Sequence, residues 1–341
     1  MASLLAFIVV IGICVIVHEF GHFLTARFFD VQVHEFAFGM GPVLFQREKK
    51  GTLWSLRAFP IGGFVRLAGM DEEAEGETVL PGKAFYDKAP WKRFFILVNG
   101  AVSNLVLALL LTAVFLSGHG VMDLDRTIVG EIMEGYPAQT AGILPGDAIL
   151  TVNTIPVENW RSMSERIRQE ALKGPVDFTL RRGEETLSLS VPIPASAEGV
   201  RLLGIRPGTR RYSPLAAMAS AFSYTVNMSA EMLRGIVRWV TGAEKADVAG
   251  PLGIATLAGE AARKGIWTFL SFLALINLNL GLINLLPFPA LDGGRLFFTA
   301  GEMLLGRRLP PKIENYIHMS GFILLILLII YVTWQDLLRI F

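Results

Sequence analysis

The sequence predicts a multi-pass α-helical membrane protein of four transmembrane helices, with membrane-associated β-hairpins and an inserted soluble α+β module. Three observations predict it. Hydrophobic residues make up 52% of the 341 and charged residues only 18%, where a soluble domain usually carries about 25% charge. Four uncharged runs approach the roughly 20 residues needed to span a bilayer. Between the second and third of these, residues 122–206 show the short strands, turns and amphipathic helix of a water-exposed fold.

The first run begins at Leu4 and continues past the polar island His18-Glu19 to about Phe29. No Lys or Arg precedes it, as the n-region of a signal peptide would require, so it is read as retained. Residues 31–70 then read as four strand segments, His34–Phe38, Val43–Phe45, Leu53–Phe59 and Phe64–Leu67. They are rich in aromatic and branched residues and are punctuated by Gly39-Met40-Gly41-Pro42, Glu48-Lys49-Lys50-Gly51 and Pro60-Ile61-Gly62-Gly63. So apolar a set of strands is expected to touch the membrane. Asp71–Glu77 reads as an acidic, solvated loop, and the second run, Phe94–Ser117, contains no charge.

In the soluble module a strand is expected at Ile128–Ile132 and a short helix at Pro137–Gly142, closed by its glycine. Pro145-Gly146-Asp147 makes a turn before the strand Ala148–Val152. Asn159–Leu172 is helical with Met163, Ile167 and Leu172 apolar, and Val176–Leu180 and Leu187–Val191 are strands. Leu215–Thr241 is helical with Glu231, Arg234 and Arg238 among its polar positions, which suits an interfacial helix better than a span. Gly250-Pro251-Leu252-Gly253-Ile254 leads to the third run, Ile266–Leu291, which Pro287 and Pro289 interrupt, and the fourth covers about Ile317–Gln335. The expected domains are therefore 1–121, 122–206, 207–265 and 266–341.

Lys and Arg concentrate in the segment from Arg27 to Arg93 and again at Arg295, Arg307, Arg308 and Lys312. Short loops with that bias are cytoplasmic, which puts both termini and the soluble module outside. With 31 basic and 30 acidic residues there is no signature of a nucleic-acid partner. The single cysteine, Cys14, excludes an internal disulfide and a cysteine-cluster metal site.

Chemistry concentrates at two places. His18-Glu19-Phe20-Gly21-His22 fits HExxH. Side chains four apart share one face of a helix, so both imidazoles can bind one metal while the adjacent Glu19 serves as general base toward a water. Two histidines and a glutamate in a hydrocarbon-spanning run are costly and mark function. A catalytic zinc site usually has three protein ligands and one open position. The third must lie near membrane depth, and Asp292 is the first acid after the long charge-free third run. Prolines 287 and 289 free backbone carbonyls just before it, which is tolerated at that depth only beside protein or a wet cavity.

Together, HExxH in the first run and Asn284-Leu285-Leu286-Pro287-Phe288-Pro289-Ala290-Leu291-Asp292-Gly293 in the third resemble the site-2 protease family, in its bacterial branch with an inserted PDZ domain. Phe38-Gly39-Met40-Gly41, Pro60-Ile61-Gly62-Gly63-Phe64 and Gly250-Pro251-Leu252-Gly253-Ile254 are further similarities, and the resemblance covers nearly the whole chain. The PDZ resemblance rests on Tyr136-Pro137-Ala138 and Ala141-Gly142 followed by Pro145-Gly146-Asp147-Ala148-Ile149-Leu150. The family implies Zn2+ held by His18, His22 and Asp292, Glu19 as base, and Asn284 assisting substrate or oxyanion. It also implies residence in a bacterial inner membrane, single-pass membrane proteins or signal-peptide remnants as substrates, and a PDZ domain acting as a peptide-end or size filter. The chain departs from the family in carrying Gly100-Ala101 where Gly-Pro is common, although Asn104 is kept, and in having one PDZ module where some relatives have two. An unwound substrate is expected to add as a strand near Leu53–Phe59. Two rivals make different demands. An inert membrane-tethered PDZ scaffold would have no use for Glu19. A transporter with a broken helix would need further ionisable residues across the bilayer, which the spans lack.

Overall fold

The computed structural model describes residues 2–70, 78–195, 200–243 and 249–340; the acidic stretch Asp71–Glu77 lies outside them. The chain forms two compact units, one built from the chain up to Phe115 and from Ala216 onward, the other from Leu116 to Leu215.

The first unit begins with helix α1, Ala2–Phe28. Strands β1, Val33–Lys49, and β2, Thr52–Leu67, follow. Each bends back on itself, so the pair makes four segments. Residues 33–38 pair on one side with 53–56 and on the other with 63–67, while 43–49 pair with 52–57. Positive φ at Gly39 and Gly41 turns β1 at its midpoint, a conformation that glycine adopts without steric cost. The four expected strands therefore exist, in the order 43–49, 52–57, 33–38, 63–67. Buried Glu35 ties three of these segments together. Its carboxylate accepts from Ser55 Oγ at 2.5 Å, Arg57 Nη2 at 2.7 Å and Arg66 Nη2 at 3.4 Å. Burial alone would raise the Glu35 pKa, but these donors win and hold it below the ordinary glutamate value.

Helix α2, Pro90–Gly118, runs beside α1. The amide of Asn99 on α2 donates to Gly21 O at 3.1 Å and to Thr25 Oγ1 at 2.5 Å on α1. Within the second unit, strands β3, Val121–Met122, β4, Val129–Ile132, β5, Ala148–Val152, β6, Ile155–Pro156, β7, Val176–Arg182, and β8, Glu185–Val191, are followed by β9, Ile205–Pro207, and β10, Thr209–Arg210. An antiparallel sheet of order β6-β5-β7-β8 is accompanied by the pairs β4–β9 and β3–β10. The short helix α3 covers Pro137–Thr140. Helix α4, Trp160–Glu170, is capped by Asn159 Oδ1 accepting from Ser162 N at 2.9 Å, and it places Met163 and Ile167 into a core with Ile149, Phe178 and Leu180. The module is longer than the expected 122–206 because β3 and β10, each two residues long, close its ends. Pairings that short carry no readable periodicity.

The chain re-enters the first unit through α5, Pro214–Val240, which the sequence suggested was interfacial. Its Met228 and Met232 pack against Ala108, Leu278 and Leu282 of the neighbouring helices, so part of α5 lines the bundle flank. Then come α6, Pro251–Arg263, α7, Ile266–Leu285, α8, Asp292–Leu305, and α9, Pro311–Ile340. The third apolar run therefore ends at Leu285, not Leu291. The two prolines after it deny the helix its hydrogen bonds, and a new helix starts at Asp292.

Among the described residues, α1, α2, α7 and α9 are long and apolar enough to cross a membrane, with mean hydropathy of 2.5, 2.3, 1.9 and 2.2. The ends match antiparallel packing. Ser3 of α1 lies against Gly259 of α6, and Asp336 of α9 accepts from Gly250 N at 3.1 Å and Gly253 N at 2.8 Å at the start of α6. At the opposite end, Arg93 pairs with Glu302 at 2.6 Å, and Tyr86 bonds Glu314 at 3.4 Å.

Candidate metal centre

The helix holds His18 and His22 one turn apart, with ring centroids 4.8 Å apart and nearly perpendicular. Both residues are 8% exposed. Asp292 arrives from the first turn of α8. Its Oδ2 lies 2.9 Å from His18 Nε2 and 3.0 Å from His22 Nε2, and the two Nε2 atoms are 3.2 Å apart. Among the described residues this is the group of three metal-type side chains that could hold one ion. The two histidines and the aspartate expected as ligands are therefore brought together from positions 274 residues apart.

The donor chemistry fits a metal. His22 Nδ1 lies 2.8 Å from Ile96 O. A carbonyl only accepts, so Nδ1 carries the proton and Nε2 presents a lone pair. That lone pair faces a carboxylate oxygen and a second imidazole nitrogen at hydrogen-bond distance. With both Nε2 lone pairs turned inward, three electron-rich atoms so close call for a proton or a metal ion between them. A zinc ion about 2.0–2.1 Å from tetrahedral donors would hold them about 3.3 Å apart, close to the observed spacing. Gly100 provides the room: a Cβ there would lie 2.2 Å from His22 Nε2.

Glu19 is half-buried and contributes no atom to that triangle. Its carboxylate accepts from the Val65 backbone N–H, so the edge segment 63–67 of the sheet abuts the centre. Asn284 sits in the last turn of α7, half-buried, with no side-chain hydrogen bond among the described residues. Segment 53–56, part of the strand expected to receive a substrate, is paired on both edges. The expectation is corrected on that point: its backbone is already used by residues 33–38 and 45–48.

The turn carrying Asp292 is gripped by α9. Ala290, at φ 77°, donates its N–H to His318 Nδ1 at 3.1 Å, and Gly321 lets Pro289 approach so closely that a Cβ would fall 2.3 Å from the proline Cβ. Nothing in the sequence pattern signals this role of His318, because its partner is a backbone N–H that no residue spacing can reveal.

The profile of peptidase family M50 matches residues 6–328. Zinc metalloprotease RasP of Shouchella clausii is 31% identical, aligned over 100% of both chains. The RasP of Geobacillus kaustophilus is 28% identical over 99% of this chain and 98% of its own. A Clostridium acetobutylicum protein whose name places it with the zinc metalloproteases is 33% identical over 96% of this chain and 95% of its own. Of solved structures, the PDZ domain of an SdrC-like protein from Listeria innocua matches 26% of this chain and 100% of its own, at 22% identity and a TM-score of 0.22.

Proposed function

Because the chain belongs to peptidase family M50, the site-2 type zinc metalloproteases, we propose that it hydrolyses peptide bonds within transmembrane segments, with zinc on His18, His22 and Asp292. The observation that carries this reading is the convergence within 3.2 Å of two imidazole nitrogens from the apolar helix α1 and a carboxylate oxygen from the start of α8. Zinc, when bound, supplies a Lewis acid for the scissile carbonyl and acidifies a water. Glu19, beside the ligands without being one, takes the proton of the attacking water and delivers it to the leaving amine. The Val65 N–H orients that carboxylate. Asn284 is the proposed donor to the oxyanion, an interaction whose loss costs about 10²–10³ in kcat where it has been measured in other enzymes.

A helical substrate hides its own peptide bonds, so it must unwind before it is cut. The outer edge of residues 63–67 supports a revised docking site, because it has one neighbouring strand and reaches Glu19. A strand added there would satisfy backbone groups on both sides. The proposed substrates are single-pass membrane proteins, of the anti-sigma-factor kind, or signal-peptide remnants, cut in regulated intramembrane proteolysis at a bacterial inner membrane. The second unit is proposed to be an extracytoplasmic PDZ domain that filters substrates by their ends or size, since no proposed ligand or base comes from it.

Metal analysis and a cleavage assay on the detergent-purified chain test the reading. The parent should carry about one zinc per chain and cut a single-pass reporter, while Glu19→Gln should keep the zinc and lose the cutting. Cleavage that persists in Glu19→Gln removes Glu19 from the mechanism.

A further inference from the structure

The two histidines reach the same triangle, but only one of them has a neighbour that fixes its tautomer outright. His22 is settled by Ile96 O, as described above. His18 presents Nε2 to Asp292 at 2.9 Å, and its Nδ1 faces the side-chain amide of Asn104 on α2 at 3.5 Å. Asn104 is fully buried; its amide nitrogen faces the imidazole, while its Oδ1 has no hydrogen-bond partner among the described residues.

That orientation conflicts with metal binding. An amide N–H donating to Nδ1 would require the lone pair there and the proton on Nε2, the atom aimed at Asp292 and at the metal. The nitrogen and oxygen of an amide have nearly the same shape and exchange places on a half-turn. After that half-turn, Oδ1 faces Nδ1–H, and the Nε2 lone pair points at the triangle. One rotation gives the oxygen a partner and sets the metal-binding tautomer, while the amide nitrogen takes the oxygen's former place. It also gives His18 what Ile96 gives His22, an oxygen acceptor behind the ring.

We propose that Asn104 is a positioning residue for the metal centre: its side-chain oxygen accepts from His18 Nδ1–H and holds Nε2 toward the ion. The inference rests on the zinc protease reading and adds to it a residue that touches neither substrate nor metal. Groups behind ligating imidazoles are worth about 10–100-fold in metal affinity.

The test is zinc affinity of the full-length chain in detergent, by competition with a chromophoric chelator, with the visible spectrum of the Co2+-loaded protein as a second readout. Asn104→Leu keeps the approximate volume and removes the oxygen; zinc should bind about 10–100-fold more weakly, with helical circular dichroism unchanged and an altered Co2+ spectrum. Asn104→Asp restores an acceptor and should bind zinc within about threefold of the parent or tighter, because a carboxylate raises ligand basicity. Leu and parent binding zinc equally would overturn the role of Asn104. So would a folded Asn104→Asp that loses more than tenfold in affinity, which decides the matter even if the Leu variant does not fold. A parent that binds no zinc would sink the metalloprotease reading itself, and the role of Asn104 with it.

Discussion

Gly100 has no side chain to offer, yet it limits the metal centre as strictly as a ligand does. An added methyl would sit 2.2 Å from His22 Nε2, so the imidazole must swing away from Asp292. Gly100→Ala should weaken zinc at least about tenfold, on the scale of losses seen when ligand orientation is disturbed; equilibrium dialysis measures it, and unchanged affinity would show that α2 yields instead. Asp292→Ala should strip the ion more completely, because it removes a ligand atom. Asn284→Ala should retain zinc and lower kcat by about 10²–10³. A parallel loss of zinc and turnover in Asn284→Ala would move that residue from the oxyanion to the metal. His18, Glu19 and His22 stand out in the sequence because ionisable groups in an apolar run are costly, and Asp292 because it is the first acid after a charge-free run; the structure brings the two histidines and Asp292 together. The roles of His318 and Asn104 are not, since one answers a backbone N–H and the other the far side of an imidazole.

At the scale of elements, the turn between α7 and α8 depends on α9. Ala290 occupies the left-handed region, which costs a non-glycine residue about 1–2 kcal/mol, and the His318 hydrogen bond offsets part of that. His318→Leu and Gly321→Leu should each displace the turn and reduce zinc affinity, although neither residue touches the metal. Chelator competition checks this, and full affinity in both variants would show that the prolines alone set the turn. The sheet is where sequence reading falls short. Its four segments are visible as aromatic runs between glycines, but their order is not. The bend at Gly39–Gly41 sets 33–38 between two segments of β2, so the strand expected to meet a substrate is an internal one. Register of this kind is settled by folding back on partners distant in sequence.

At the scale of the molecule, the second unit has its own buried core and its own electrostatic tie. Asp147, 1% exposed, accepts from Arg182 Nε and Nη2 at 2.8 Å each and from Leu144 N at 2.8 Å. The Arg182 hydrogen bonds hold its carboxyl below the ordinary aspartate value. A depressed folded pKa contributes stability that is full above the unfolded value, about 3.9, and is lost as pH falls through the folded one. Asp147→Ala should cost about 2 kcal/mol at neutral pH, the scale of hydrogen bonds to a charged group. It should also flatten the acid dependence below about pH 4. Hydrogen exchange at Phe178–Leu180 reads both, and protection unchanged from the parent would make the pair ornamental. Deleting the whole unit with a short linker should preserve cutting of a substrate with a small ectodomain and admit bulkier ones. A zinc-loaded deletion that cuts neither would show that the unit is part of the working enzyme and not a filter.

His18 and Asp292 meet across 274 residues, and that separation is also an interval of time. At about 5–20 residues per second, synthesis of the intervening chain takes roughly 15–55 s. Throughout it, α1 carries His18, Glu19 and His22 without Asp292. On the proposed ligand set the centre is completed only once Asp292 is made, which places zinc loading at the end of synthesis. Chains arrested before Asp292 should hold zinc far more weakly than chains released after α9.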